Sequence, residues 1–275
     1  MPDRLLNQDS SQQFLSSLLN QNTSEDYRIV ICYPNKLVNY PDDQCLVPDW
    51  FSEAVNNSGG KIILIRDDID YGPITNILYP IKHIAMNAED IIIVCDDDHQ
   101  YHEDMVRYHA YKLSQYPSNH CICFRGNDPK EMRTWQIDNN KVGRLYNSCI
   151  LFPTPIDKYL RFPDHWHSVS YRRSMLGEDM FNADFLSITW NNDILMGYYA
   201  WTHDLYFVCA SYDKETDYRP VNHEGRGSNS FPIVRPLPFN GDSGCNRWRQ
   251  KRTDDIWQNS IFSSAMNKEK GVIKL

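Results

Sequence analysis

The sequence predicts an α/β domain built on a mixed, mainly parallel sheet flanked by helices, with a less regular C-terminal part. Three observations carry this. Short, β-branched apolar runs at 28–33, 61–65 and 90–95 are each bounded by turn-forming or polar residues. Helical patterns at 49–56 and 74–86 separate them, and this β-α-β-α-β order favours parallel pairing through right-handed crossovers. No internal repeat or low-complexity segment offers a different architecture.

The elements follow in order. Residues 1–26 read as a polar lead-in with one short helix at 12–19. The first strand stops at Pro34, and the second follows the Gly59-Gly60 turn. A helix-like stretch at 103–115 leads to a fourth apolar run at 121–124, which completes an α/β half over 27–126. After Gly126 the regularity fades. Within a second half at 127–245, residues 135–137 and 143–152 read as antiparallel strands and 174–188 as a helix. Residues 212–243 are rich in Pro, Gly and Asn and read as a long surface loop. Residues 246–275 form a C-terminal extension.

Composition narrows the function classes. The chain has 275 residues, with 28 Lys+Arg against 36 Asp+Glu and a net charge of -8. That balance argues against nucleic acid as a partner, because phosphate-backbone affinity comes from clustered basic side chains. The 8 cysteines include no Cys-x-x-Cys pair, and Cys32 and Cys95 end apolar runs, as buried free thiols do. A reducing compartment is the expectation. Residues 1–24 lack a signal-peptide core and no apolar run reaches the roughly 18 residues of a membrane span, so the expectation is a cytoplasmic protein without a span.

The sharpest feature is the apolar run at 91–94 followed by Cys95, Asp96, Asp97 and Asp98. Ligands of open α/β sheets bind beyond the carboxyl ends of strands. Three adjacent carboxylates there repel one another unless a cation offsets their charge, and Mg²⁺ or Mn²⁺ takes oxygen ligands and shares them with phosphates. A solvated acidic turn capping the next helix is the competing account. The strand before it ends in Arg66, Asp67, Asp68, Ile69, Asp70, Tyr71, Gly72 and Pro73. Arg66 suits a phosphate, the acids suit hydroxyls or base edges, and Tyr71 to Pro73 forms a stiff turn that a flat ligand can approach. Pairing of Arg66 with Asp68 or Asp70 competes with that role.

Together the two stretches resemble small soluble glycosyltransferases of the GT-A fold, a Rossmann-like architecture, of the bacterial and large-algal-virus type. The similarity is best over 28–126. It implies transfer of a sugar from a nucleotide diphosphate sugar, with a UDP-sugar favoured, to a hydroxyl of a glycan acceptor. It implies Asp98 as a direct ligand of Mn²⁺ or Mg²⁺, and Asp96 as a ribose or sugar contact. Asp97, Arg66, Asp67, Asp68, Asp70 and Tyr71 complete the donor site. Bacterial members often carry Lys three residues past Pro73, where this chain has Asn76.

Leu176-Gly177-Glu178-Asp179-Met180-Phe181 resembles the Glu-Asp element late in inverting GT-A enzymes. This implies Asp179 as the general base, with Glu178 as the substitute. The chemistry requires a carboxylate beside the acceptor hydroxyl, whereas acids in a first helical turn also simply stabilise the macrodipole. Such enzymes often complete the metal shell with a C-terminal His. His223, beside Arg226 and Ser228, is the better candidate, and His203 the other. His99, His102 and His109 lack metal-ligand spacing and read as surface residues. Trp166, Tyr171 and Arg172, just upstream of Asp179, form a mixture suited to gripping an acceptor. The basic run at 247–252 reads as a solvated face. Two other functions remain compatible with these residues: a Mg²⁺-dependent phosphohydrolase or nucleotidyltransferase, and a non-catalytic glycan-binding module.

Overall fold

The computed structural model describes residues 8–37, 40–97, 100–127, 157–160, 162–165, 168–188 and 192–210. Asp98, His99, Trp166 and His223 lie outside them. So do the expected strands at 135–137 and 143–152, the loop at 212–243 and the basic run at 247–252.

Helix α1 (Gln8–Leu19) opens the described chain. Its Phe14, Leu15 and Leu18 fall on one helical face and are buried. They pack in one cluster with Ile29 and Ile31 of β1 (Ile29–Cys32) and Phe51 of α2 (Asp49–Asn57). The helix of the polar lead-in is thus part of the core. A short hairpin, β2 (Lys36–Leu37) and β3 (Tyr40–Gln44), precedes α2. Phe51 is fully buried, and burial of such a side chain stabilises the fold by about 1.5–3 kcal/mol.

Strand β4 (Ile62–Ile65) pairs parallel with β1, from Ile29 opposite Ile62 to Cys32 opposite Ile65, so the first expected crossover is present. A 3-10 turn (Gly72–Ile74) leads into α3 (Thr75–His83), which packs against β1, β4 and β5 (Ile91–Val94). Helix α4 (Met105–Ser114) follows, then β6 (His120–Cys123) and β7 (Gly126–Asn127).

The later chain supplies β8 (Lys158–Leu160), β9 (Phe162–Pro163), β10 (Val169–Arg172), α5 (Ala183–Ser187), α6 (Asn192–Thr202) and β11 (Tyr206–Cys209). A five-stranded sheet runs in the order β5-β10-β6-β11-β8. Strand β10 is antiparallel to both β5 and β6, β11 is parallel to β6, and β8 is antiparallel to β11. The architecture is therefore mixed α/β, but among the described residues β1 and β4 form a two-stranded sheet of their own, β5 pairs with β10 rather than with them, and the larger sheet is mainly antiparallel where a mainly parallel one was expected. Among the described residues no helix is long and apolar enough to cross a membrane.

Two expectations change. The helix at 174–188 is three pieces: 3-10 turns at Arg173–Met175 and Glu178–Phe181, then α5. Gly177 and Asn182 both adopt extended backbone, which interrupts the helix, and the Asn182 side chain caps α5 by accepting from Asp184 N at 2.8 Å. His109 is not on the surface. It is fully buried, with Nδ1 2.8 Å from Ser170 Oγ and Nε2 2.8 Å from Ser168 Oγ. Both serines are buried too, and burial pushes the imidazole down to about 3, so it is neutral.

Candidate functional site

The loop after β4 is built from its own hydrogen bonds. Arg66 donates from Nη2 to the Cys45 carbonyl at 2.8 Å and lies 5.0 Å from the Tyr33 ring centroid. Its partners are thus a carbonyl and an aromatic face. Asp67 Oδ2 meets Lys82 Nζ at 2.5 Å and His83 Nε2 at 2.7 Å. The Lys82 ammonium is the main reason that its carboxyl is held at about 2. Asp68 accepts from Asn35 Nδ2 at 2.7 Å. Asp70 Oδ1 accepts from Gly72 N at 2.8 Å and Thr75 Oγ1 at 3.2 Å, an Asx-turn that sets the start of α3. Gly72 has φ +72°, a conformation that favours glycine at this bend. All four charged residues of this loop proposed for the donor site, Arg66, Asp67, Asp68 and Asp70, therefore have a framework role. Asn76 Oδ1 and Arg66 Nε are buried without a hydrogen-bond partner.

Tyr71 ends that loop. Its ring packs edge-on against Tyr79 at 6.4 Å and Phe181 at 6.0 Å. The second contact brings the loop after β4 together with the Glu178–Phe181 turn, 110 positions further on. Their neighbourhood was not visible in spacing.

At the end of β5, Asp96 and Asp97 are half-buried. Tyr101 fixes this turn: its hydroxyl accepts from Asp96 N at 2.8 Å and donates to Asp96 O at 3.0 Å. Helix α1 holds Tyr101 in turn, through Ser17 Oγ, which accepts from Tyr101 N at 3.0 Å. Gln21, just beyond α1, binds the His102 carbonyl and the Val106 N–H. The described part of the acidic strand end thus offers two carboxylates, the oxygen chemistry that a hard cation takes. Among the described residues no group of three or more His, Cys, Asp or Glu converges as a metal shell.

The Gly177–Asp179 turn is different in kind. Glu178 is exposed, with Arg173 Nη2 4.0 Å from its Oε1. The Asp179 side chain is 55% exposed, yet both its oxygens have partners from α6 and the residue after it. Oδ2 lies 2.8 Å from His203 Nε2, and the Tyr199 hydroxyl reaches Oδ1 at 3.4 Å. Tyr199 is itself buried. Burial holds its phenol up at about 12, so the hydroxyl keeps its hydrogen. Both His203 nitrogens face protein groups, Asp179 on one side and the Tyr199 carbonyl on the other. His203 therefore acts here as a partner of Asp179 rather than as a member of a metal shell.

The acceptor candidates that are described are both engaged by protein groups. Tyr171 is fully buried in β10, and its hydroxyl is 2.7 Å from His165 Nε2, whose Nδ1 is 2.6 Å from Asp193 Oδ1. The alternation of β10 turns this side chain into the core. Arg172 points to the other face and donates to the carbonyls of Leu113, Tyr116 and Pro117 at 2.5–3.2 Å, which caps the end of α4. Burial and capping account for both residues. Sequence reasoning missed Tyr199, which carried no motif signal at all.

No protein-family model matches this chain, and no curated protein sequence matches it. The site is therefore defined by its own residues.

Proposed function

We propose that this protein is a metal-dependent, inverting glycosyltransferase of the GT-A type. It would move a sugar from a nucleotide diphosphate sugar, with a UDP-sugar favoured, to a hydroxyl of a glycan acceptor. The observation that supports this most is Asp179: an accessible carboxylate with fixed oxygens, on a turn that touches the Tyr71 end of the loop after β4. A positioned base of this kind is what acceptor activation requires.

In this reading the acceptor oxygen forms a bond to the anomeric carbon while the bond from that carbon to the diphosphate breaks. The electron pair leaves with the nucleoside diphosphate, and the hydroxyl proton passes to Asp179. Asp96 and Asp97, with Tyr71, line the donor side, and Glu178 stands in reserve beside the base. Asp98 and His223 would hold Mn²⁺ or Mg²⁺, which when bound offsets the charge on the leaving diphosphate. Cys32, Cys95, Cys121, Cys123 and Cys209 are free thiols, in keeping with a reducing setting.

The test is donor turnover across a panel of nucleotide-sugars with Mn²⁺, beside calorimetry with UDP and Mn²⁺. Metal-dependent binding of UDP together with sugar transfer, both lost in Asp98→Asn, is the expected result. Sugar binding without nucleotide or metal would identify a glycan-binding module instead.

A further inference from the structure

Asp179 is held from three directions. His203 Nε2 stands 2.8 Å from Oδ2. The Tyr199 hydroxyl donates to Oδ1 at 3.4 Å while accepting from Gly177 N at 2.9 Å. The third direction is Gly177, over which the carboxylate folds back. A Cβ placed there would be 2.5 Å from Asp179 Oδ1 and 3.3 Å from the Tyr199 hydroxyl. The φ of Gly177 is -94°, which any residue adopts, so a side chain here is opposed by room alone and would displace the Asp179 carboxylate from its present place.

His203 is equally constrained. Its ring stacks on Tyr199 with centroids 4.0 Å apart and 21° between the planes. Nδ1 lies 2.9 Å from both the Tyr199 carbonyl and Thr202 Oγ1. A carbonyl and a carboxylate both only accept, so in this arrangement Nδ1 donates to the Tyr199 carbonyl and Nε2 donates to Asp179, and a flipped ring would lose both contacts. An exposed aspartate without such grips exchanges rotamers freely, and a base that samples several rotamers is misplaced for much of the time.

We propose that Gly177, Tyr199 and His203 are positioning residues for Asp179, so that α6 and its end belong to the machinery of transfer. The role rests on the reading of Asp179 as base. His203 and Tyr199 restrain the two oxygens unequally. The short contact fixes Oδ2, and the longer one leaves Oδ1 with a lone pair to receive the acceptor's proton.

The test combines kinetics with a spectroscopic signature. His203→Ala lowers kcat roughly tenfold to a hundredfold, the effect of losing one hydrogen bond to a charged group. The donor KM stays within about twofold, as it does when an interaction serves only the transition state. His203→Gln, whose amide still donates to Oδ2, recovers most of the loss. Gly177→Ala lowers kcat in the same way by displacing the carboxylate. Independently of turnover, Asp179→Asn at constant pH moves the His203 Nε2 resonance in an imidazole ¹H–¹⁵N spectrum and leaves those of His109 and His165 in place. Asp179→Asn without transfer, beside His203→Ala at the wild-type kcat, overturns the positioning role and leaves the base reading standing. Transfer retained in Asp179→Asn removes the base reading itself. An unmoved His203 resonance overturns the pair whatever the activity.

Discussion

Two histidines, in two regions of the molecule, have both ring nitrogens occupied and do opposite things. Beneath β10, His109 is sealed from water and bound to two neutral hydroxyls. At the end of α6, His203 is part-exposed and bound to a carboxylate that opens to solvent. Burial makes the first a permanently neutral strut, because charging it would require an ion in an apolar interior. Exposure of the second pair keeps its carboxylate within reach of another molecule. The loop after β4 sides with His109, since its acids are tied to lysine, asparagine and backbone N–H groups. In this protein acids at a strand end build the frame, and residue type alone does not separate such acids from those of a candidate site.

The comparison breaks most decisively at Asp179. Asp179→Asn is expected to lower transfer by about 10²–10⁴, the range for a general base, with the unfolding midpoint nearly unchanged; a large loss of stability at intact turnover would assign Asp179 to the frame. On the other side, the His109 imidazole is held at about 3 in the folded state against about 6.5 when unfolded. Between those values the unfolded chain binds more protons, so the contribution is intact above about pH 6.5 and is lost as pH falls toward 3. Urea unfolding from pH 7 to 4 should show this decline, and His109→Gln should flatten it; an equally steep profile in the variant would mean that other groups set it.

Smaller effects sharpen the same boundary. Arg172→Ala removes the cap on the α4 carbonyls and should cost about 1–3 kcal/mol of stability. An unchanged midpoint with a raised acceptor KM would return Arg172 to the acceptor site. Asp70→Ala loses the Asx-turn that starts α3, at a cost of about 0.5–1.5 kcal/mol measured by denaturant unfolding. No change there would show the turn to be held by Tyr71 and Thr75 alone.

The first half of the fold was legible because β1, β4 and β5 are dense in Ile and Val, and their helices have a clear apolar stripe. Strand β10 was not. Its Val-Ser-Tyr-Arg run buries a serine whose hydroxyl is satisfied by His109, 61 positions away, and by the Ile122 carbonyl. The segment at 189–210 gave no element boundaries in sequence, because α6 is apolar around much of its circumference and lacks helical periodicity. In the site, Gly-Glu-Asp marked Asp179, but its grips from Tyr199 and His203 come from 20 and 24 positions on, and nothing local encodes such a meeting. His203 was visible only as an isolated histidine, which suits a metal as readily as a carboxylate.

The docking of α1 onto the turn after β5 has a consequence in time. Gln13 bonds Gln100 across 87 positions, and Gln21 meets His102 across 81. A ribosome adding about 5–20 residues per second leaves α1 without these partners for roughly 4–17 s. Throughout that interval Phe14, Leu15 and Leu18, on a helix of 12 residues too short to persist alone in water, have only the earlier members of their cluster, such as Ile29, Ile31 and Phe51, to pack against and lack Tyr101, Met105 and Val106. The acidic turn is therefore among the last parts of the first half to be ordered during synthesis.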